Sequence, residues 1–360
     1  MTNKLKALFL LLTANCLLPT ISFSQDIHFS QYNFSPLTLN PALTSAYKDI
    51  QATLHYKDQW NSMNAYKTAS ATFEIKLGQP NWVKVDRLTG AFKQKLAKGL
   101  AFGLNAFSDK AGDGKMKQTQ ANLSIAYHAR LNEHNTLSAG LMGGFGQRSI
   151  VPEGLRWNNQ YASGSYDPTI SSGENFSKQS FVYGDYNMGL LWSYGDASRY
   201  ATANDQKHIN AGISLGHLNS PGLSFVSTDA ERLDWKWTAH ANSLIGIKNS
   251  LYSVGPSILF MQQGPLREIT FGALVKYKFK EESKYTGYVR GAAISAGCYY
   301  RNKDAVIPYL LLEVDAYSLG LSYDTNISGL KTATAGRGGF EITLRFNTPS
   351  SFLFQTKSRI

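Results

Sequence analysis

The stretch Ile269-Thr270-Phe271-Gly272-Ala273-Leu274-Val275-Lys276-Tyr277-Lys278-Phe279 decides the fold. Its odd positions are Ile, Phe, Ala, Val, Tyr and Phe, and both of its lysines stand at even positions. Alternation with period two marks a strand with one apolar and one polar face, because successive side chains point to opposite sides of the pleat. The same signal returns at Phe340, Ile342, Leu344 and Phe346 against Glu341, Thr343 and Arg345. It returns at Ile209 to Leu215 and at Ala121 to Tyr127, where Asn210, Ser214, Asn122, Ser124 and His128 take the polar side.

Working outward, fourteen strands are expected, near residues 50–57, 66–77, 98–107, 119–130, 136–150, 181–194, 208–218, 234–248, 251–263, 268–280, 287–301, 304–315, 316–324 and 338–346. Val306 to Val314 is apolar on both faces. The connections alternate between mostly short joins (131–135, 249–250, 281–286, near 316) and a set that holds the longest (151–180, 219–233, 325–337). Short turns on one side of a membrane and long loops on the other are the habit of transmembrane barrels. A soluble sandwich alternates too, but its strands average five or six residues, whereas several here reach the nine to eleven that a tilted strand needs to cross hydrocarbon. The pattern predicts an all-β chain, a 14-stranded antiparallel transmembrane β-barrel, over residues 50–346, with a short tail at 347–360. An even strand count places both ends of the barrel sequence on the periplasmic side.

Composition agrees. The 360 residues are only 17% charged and 43% apolar, too much buriable surface for a disordered chain. After residue 24 no apolar run approaches the length of a spanning helix, and low average hydropathy is what a barrel with a polar lumen shows. Residues 1–24 have the layout of a secretory signal peptide: Lys4 and Lys6, an apolar run to Leu18, then Ser22-Phe23-Ser24 before Gln25. A lipoprotein signal ending at Cys16 is the weaker reading, since Asn15 stands where a small residue belongs. Removing the signal lowers the net charge from +11 to +9 and leaves Cys298 as the single cysteine, so no internal disulfide forms. The scattered lysines suit rims facing lipopolysaccharide phosphates rather than nucleic acid.

Two segments stand outside the meander. Residues 78–97 place Val85, Leu88, Phe92 and Leu96 on one helical face among lysines, which fits either a basic amphipathic helix or a solvated insertion. Residues 25–49 precede the first strand. They are Pro-broken and too polar for a strand, yet hold Phe29, Tyr32, Phe34 and Leu37, which need burial. Asn40 is placed to hydrogen-bond its own backbone before Pro41. The segment is expected to plug the periplasmic half of the lumen or to brace the periplasmic rim, through Phe29, Tyr32, Phe34, Asn40 and Pro41. On the opposite side, the 151–180 loop carries Trp157, Tyr161, Tyr166 and Phe176, residue types enriched at binding hot spots; either they meet a partner or the loop folds inward.

No catalytic, cofactor-binding or metal-ligating set is evident. The seven His form no HExxH or Cys/His cluster, and there is no GxSxG. His128 beside Ser124 reads as a wall residue. Gly143-Gly144-Phe145-Gly146 lies within a strand pattern, where glycines mark a bend or a close approach to the wall.

Taken together, Asp26-Ile27-His28-Phe29-Ser30-Gln31-Tyr32, Leu39-Asn40-Pro41-Ala42, Tyr56-Lys57-Asp58-Gln59-Trp60, Leu155-Arg156-Trp157, Tyr166-Asp167-Pro168, Gly216-His217-Leu218-Asn219, Ser322-Tyr323-Asp324-Thr325-Asn326 and Gly338-Gly339-Phe340-Glu341 resemble the PorP/SprF family of Bacteroidetes outer-membrane proteins. The resemblance covers essentially the whole mature chain. It departs where the family usually places a Gly shortly after Asn-Pro-Ala and this chain has Thr44-Ser45. It implies a fourteen-stranded barrel similar in shape to long-chain fatty-acid transporters, in the outer membrane. The implied role is that of a non-enzymatic partner of the C-terminal domain of a large type IX secreted adhesin, supporting its secretion, surface attachment and gliding. A secretion component contacting the periplasmic ring and other type IX subunits, and a passive channel for small solutes, remain the alternatives.

Overall fold

The computed structural model describes residues 26–348 apart from 61–65, 80–81, 86–91, 96–97, 113–114, 153–154, 163, 174–177, 197–203, 226–231, 281–290, 330 and 335. Fourteen antiparallel strands close into one barrel. They are β1 Ile50–Gln59, β2 Tyr66–Gln79, β3 Lys98–Ala111, β4 Met116–Arg130, β5 Asn135–Ser149, β6 Ser180–Asp196, β7 Lys207–Gly216, β8 Lys236–Gly246, β9 Tyr252–Gln263, β10 Leu266–Lys280, β11 Ala292–Arg301, β12 Ala305–Val314, β13 Tyr317–Asn326 and β14 Arg337–Asn347. Each pairs with its neighbours in sequence, and β1 seals against β14 from Gln51↔Asn347 to Gln59↔Gly339. Strands of ten or more residues at about 3.3 Å each, tilted by about 40°, rise roughly 25 Å, the height of a barrel's apolar band.

The faces follow the sequence alternation. On β10, Phe271, Val275 and Phe279 point outward, while Thr270 is 1% exposed in the lumen and Lys276 reaches Glu313 of β12 past the intervening β11. Leu54, Leu104, Leu123, Leu141, Ile213, Ile258 and Leu344 continue the outward band. Large apolar side chains in such a band are what a lipid-facing wall needs and what a water-facing one avoids. Tyr127, Trp192, Tyr252 and Tyr317 ring the band at the end where β1 begins, called here the near end. Tyr56, Tyr66, Trp237 and Tyr323 ring it at the opposite, far end. Aromatic girdles at both interfaces suit rings with one apolar and one polar aspect.

Three sequence expectations change. Among the described residues of the basic insertion after β2 there is no helix: Trp82–Val85 pairs with Phe92–Lys95 as a two-stranded ribbon, in keeping with the strand preference of Trp82, Val83 and Val85; Leu88 and Leu96 lie outside the described residues. Gly143 to Gly146 do not receive the N-terminal segment: β5 runs on to Ser149, and a side chain at Gly146 would collide with the Tyr183 ring. Finally, residues 26–49 are not confined to the near (expectedly periplasmic) half. They run the whole height of the lumen, because the partners of residues 26–31 lie at the far end and those of Ser45 to Asp49 toward the near end. Residues 1–25 and 349–360, and with them the expected signal peptide and most of the tail, lie outside the described residues.

Candidate functional site

The segment Asp26–Asp49 folds as three short helical turns, Tyr32–Phe34, Pro36–Leu39 and Pro41–Leu43. Proline opens the second and third, where its missing N–H costs nothing. Asn40 caps the third: its Oδ1 accepts from Ala42 N at 2.9 Å. After it, Ser45 sits at φ +49°, in the left-handed region that favours glycine, and its N–H donates to Glu74 Oε2 at 2.6 Å. The buried Glu74 carboxylate thus holds a turn that a non-glycine residue adopts at a cost.

Tyr32 and Phe34 of the segment pack against Tyr299 and Tyr309 on one arc of the wall, while Leu37 lies against Gly103 of β3. Tyr32, Phe34, Leu39 and Leu43 join Leu259, Tyr299, Ile307, Tyr309 and Leu311 in a single buried cluster. Fully burying such a side chain contributes about 1.5–3 kcal/mol. Arg345 lies 3.9 Å above the Phe34 ring and donates from Nη2 to Asn33 O at 3.1 Å. Phe29 stacks 4.0 Å from His55.

The opposite arc admits backbone. A Cβ at Gly140 would fall on Pro41, and one at Gly189 or Gly212 on the Asn40 side chain. Asn40 Nδ2 donates to Leu190 O at 3.0 Å and Ile213 O at 3.1 Å, joining β6 and β7. Thr44 meets Ser124 Oγ at 2.6 Å, and His128 donates from Nε2 to Thr44 O at 2.9 Å. The sequence pair Ser124/His128 is thus two hooks on the segment.

Charges hold the far part. Glu341, 0% exposed, accepts from Ser30 N at 2.8 Å and Gln31 N at 3.0 Å. It also pairs with Lys57 Nζ at 3.2 Å and His55 Nε2 at 3.3 Å. Gln31 Nε2 donates to Ser322 Oγ and Glu341 O, and Ser30 Oγ to Asp324 Oδ2 at 2.8 Å. Arg301 bridges Asp324, Asp304 and Glu268 and donates to Ser30 Oγ. At the mouth, Asp26 N donates to Gln263 Oε1, and its carboxylate lies 3.0 Å from His217 Nε2 and 3.5 Å from Lys236 Nζ. His217 Nδ1 is 2.9 Å from Asp185.

Burial disfavours a charged His217, but Asp26 and Asp185 outweigh it and raise its pKa to about 9. Burial would likewise raise Asp26, yet His217 and Lys236 hold it well below the usual carboxylate range. His28, 3.6 Å from Glu268, is pushed by burial down to about 4 and stays neutral near pH 7.

Of the expected segment residues, Phe29, Tyr32, Phe34, Asn40 and Pro41 are all buried in the lumen. Sequence reasoning missed Glu341, Lys57, Arg301 and His217 as their holders. The available signal was a charged residue on the inward face of a strand, repeated at several barrel-strand ends. Among the described residues, no group of three or more His, Cys, Asp or Glu is arranged to hold a metal ion.

The loop between β5 and β6 has its own order. Tyr161–Ala162 pairs with Ser165–Tyr166, and buried Gln160 ties Trp157 N to Ile170 O. Tyr161, 53% exposed, sits 5.7 Å from Tyr166, over whose ring Arg156 lies at 4.9 Å. Trp157 and Tyr166 are half-buried, and Phe176 lies outside the described residues.

Known structures with a similar outline are the Ralstonia pickettii toluene transporter TbuX and Haemophilus ducreyi BamA lacking POTRA domains 1–3. TbuX is 11% identical with a TM-score of 0.47, over 87% of this chain and 93% of its own. BamA is 9% identical with a TM-score of 0.39, over 82% and 69%. No curated protein sequence matches the chain. Residues 21–346 match the family model of the type IX secretion system membrane protein PorP/SprF, and the chain belongs to that family.

Proposed function

We propose that this type IX secretion membrane protein, with its outer-membrane type of barrel, is a non-enzymatic receptor and anchor. Its partner is the C-terminal domain of a large secreted adhesin, which it helps to secrete and then holds at the cell surface. The far end faces outward and the near end the periplasm, after removal of residues 1–24. The observation that carries this reading is that residues 26–49 take up the lumen from far to near end, held by buried charges. A conduit for solutes is disfavoured by that filling, which leaves the loops as the surface for recognition. There the paired Tyr161 and Tyr166 rings with Arg156 offer the residue types that dominate protein interfaces. The lysine-bearing Trp82–Lys95 ribbon at the near end favours an additional contact with other type IX subunits.

The test is Trp157→Ala and Tyr161→Ala, with surface adhesin and barrel abundance measured together. A hot-spot loss of about 2 kcal/mol lowers affinity roughly 30-fold, so surface adhesin should fall while the barrel stays at wild-type level. Unchanged adhesin, or adhesin and barrel falling together, rejects the loop as the docking surface.

A further inference from the structure

Three lysines on neighbouring strands stand side by side on the outward face of the far end. β2, β3 and β4 pair so that Lys67 lies opposite Lys110, and Lys110 opposite Lys117. All three are exposed, and they share the parity of the outward residues Phe73, Leu104 and Leu123. Paired strands lie about 4.8 Å apart, and like charges directly opposite one another repel across that gap. None of the three forms an ion pair with a described residue. Asp58, opposite Lys67 on β1, closes the row and offsets one of its charges. The row stands one outward position beyond Tyr56 of the far-end aromatic girdle, the depth of lipid headgroups.

Directly beneath the lysines the wall is hollow. Ala69, Ser108 and Thr119 form the next outward level, and Ala71, Ala106 and Ala121 the one after. Leu54 and Tyr56 rise beside them on β1, enclosing a recess of about 550 Å³. A second recess on the lipid face, about 490 Å³ at Ala211, Ala239 and Ala241, ends toward the far end at the apolar Leu215 and Trp237. Only the first joins a row of cations to an apolar hollow, which are the two requirements of an anionic amphiphile.

We infer that this strip of wall binds one phosphorylated glycolipid of the outer leaflet, of the lipid A class. Its phosphate lies among Lys67, Lys110 and Lys117, and an acyl chain fills the hollow below. A phosphomonoester carries nearly two negative charges at neutral pH, which matches what remains of the row after Asp58. The phosphodiester of a phospholipid carries a single charge and leaves part of the repulsion in place. Lysines spread around a rim attract lipid phosphates only as a diffuse field; these three, fixed in register above a recess, define a single site. The inference rests on the outward orientation of the far end proposed above, and not on the adhesin.

The experiment titrates the delipidated full chain in detergent with diphosphoryl lipid A and reads bound lipid by native mass spectrometry. Dephosphorylated lipid A, dioleoylphosphatidylglycerol and dioleoylphosphatidylcholine are the comparison probes, and heat-modifiable gel mobility verifies a folded barrel in each variant. Wild type should take up one lipid A in preference to the other three. Lys67→Gln, Lys110→Gln and Lys117→Gln together should weaken it roughly 100-fold at low salt, while the three Lys→Arg changes should preserve it. Ala71→Leu with Ala106→Leu fills the hollow and should weaken binding several-fold with every charge in place, whereas Ala239→Leu in the second recess should change nothing. Equal affinity in wild type and the glutamine variant, equal affinity with and without phosphate, or no effect of filling the hollow overturns the site. A preference for phosphatidylglycerol that the glutamine variant loses refutes both the assigned lipid and the outward orientation of the far end, leaving a headgroup site on the other leaflet.

Discussion

Replacing Glu341 by Gln keeps the shape of the side chain and removes its charge, which isolates the electrostatic part of the seat. The carboxylate has two roles: it accepts from two backbone N–H groups, and it balances Lys57, itself 3% exposed in its side chain. At a separation near 4 Å and an effective dielectric of about 20, such an attraction is about 4 kcal/mol. Removing one partner of a buried pair costs about 3–5 kcal/mol, because the other charge is left stranded. The amide of Gln also turns a donor toward one of the two N–H groups. A loss of about 4 kcal/mol raises the population of unseated segment roughly a thousandfold. The barrel's own strand ladder is untouched, so heat-modifiable mobility should persist while planar-bilayer conductance and sensitivity to large antibiotics increase. Deleting residues 29–42 sets the upper limit of that increase. Lys57→Met added to Glu341→Gln should recover part of the loss by removing the stranded cation. The reasoning fails if Glu341→Gln is as tight as wild type, or if Lys57→Met makes it leakier still.

Gly140→Ala places a methyl on Pro41 and should unseat the turn at about 1–3 kcal/mol, whereas Gly329→Ala, with open space, should be silent; equal conductance of the two rejects the close approach. His217 has a folded pKa above its ordinary 6.5, so its stabilisation is complete below that value and lost as pH rises through about 9. The difference is worth about 3 kcal/mol, and conductance should climb progressively from pH 7 to a plateau above 9; a flat profile to pH 10.5 contradicts the clamp. Ala273 pairs with Pro256 on the outward face, and Ala273→Lys should cost about 2–4 kcal/mol near the membrane midplane, read as a lowered urea midpoint of vesicle-inserted barrel. Its inward neighbour Gly272 cannot serve as a control, because a side chain there would strike Cys298 O and Tyr299. Ala273→Val, which keeps the face apolar, serves instead and should leave the midpoint in place.

Strand number, strand positions and the two faces of the wall were legible in the amino-acid sequence, because they depend on local parity. A side chain's face is set by whether its position is odd or even, and Phe271, Val275, Glu341 and Arg345 all lie where alternation puts them. Asn40 capping its own turn was legible for the same reason, since both partners lie within two residues. The doubled apolar character of Val306 to Val314 was visible but mute. It becomes intelligible only when Ile307, Tyr309 and Leu311 are seen against Tyr32 and Phe34. The path of residues 26–49 was decided by tertiary structure alone. Ser30 and Glu341 are 311 positions apart, and Asp26 and His217 are 191 apart. No periodicity relates residues so distant. A buried charge reveals its partner only once closure of the barrel has brought β1, β13 and β14 around the same point of the lumen, where low dielectric makes an unmatched charge too costly to keep.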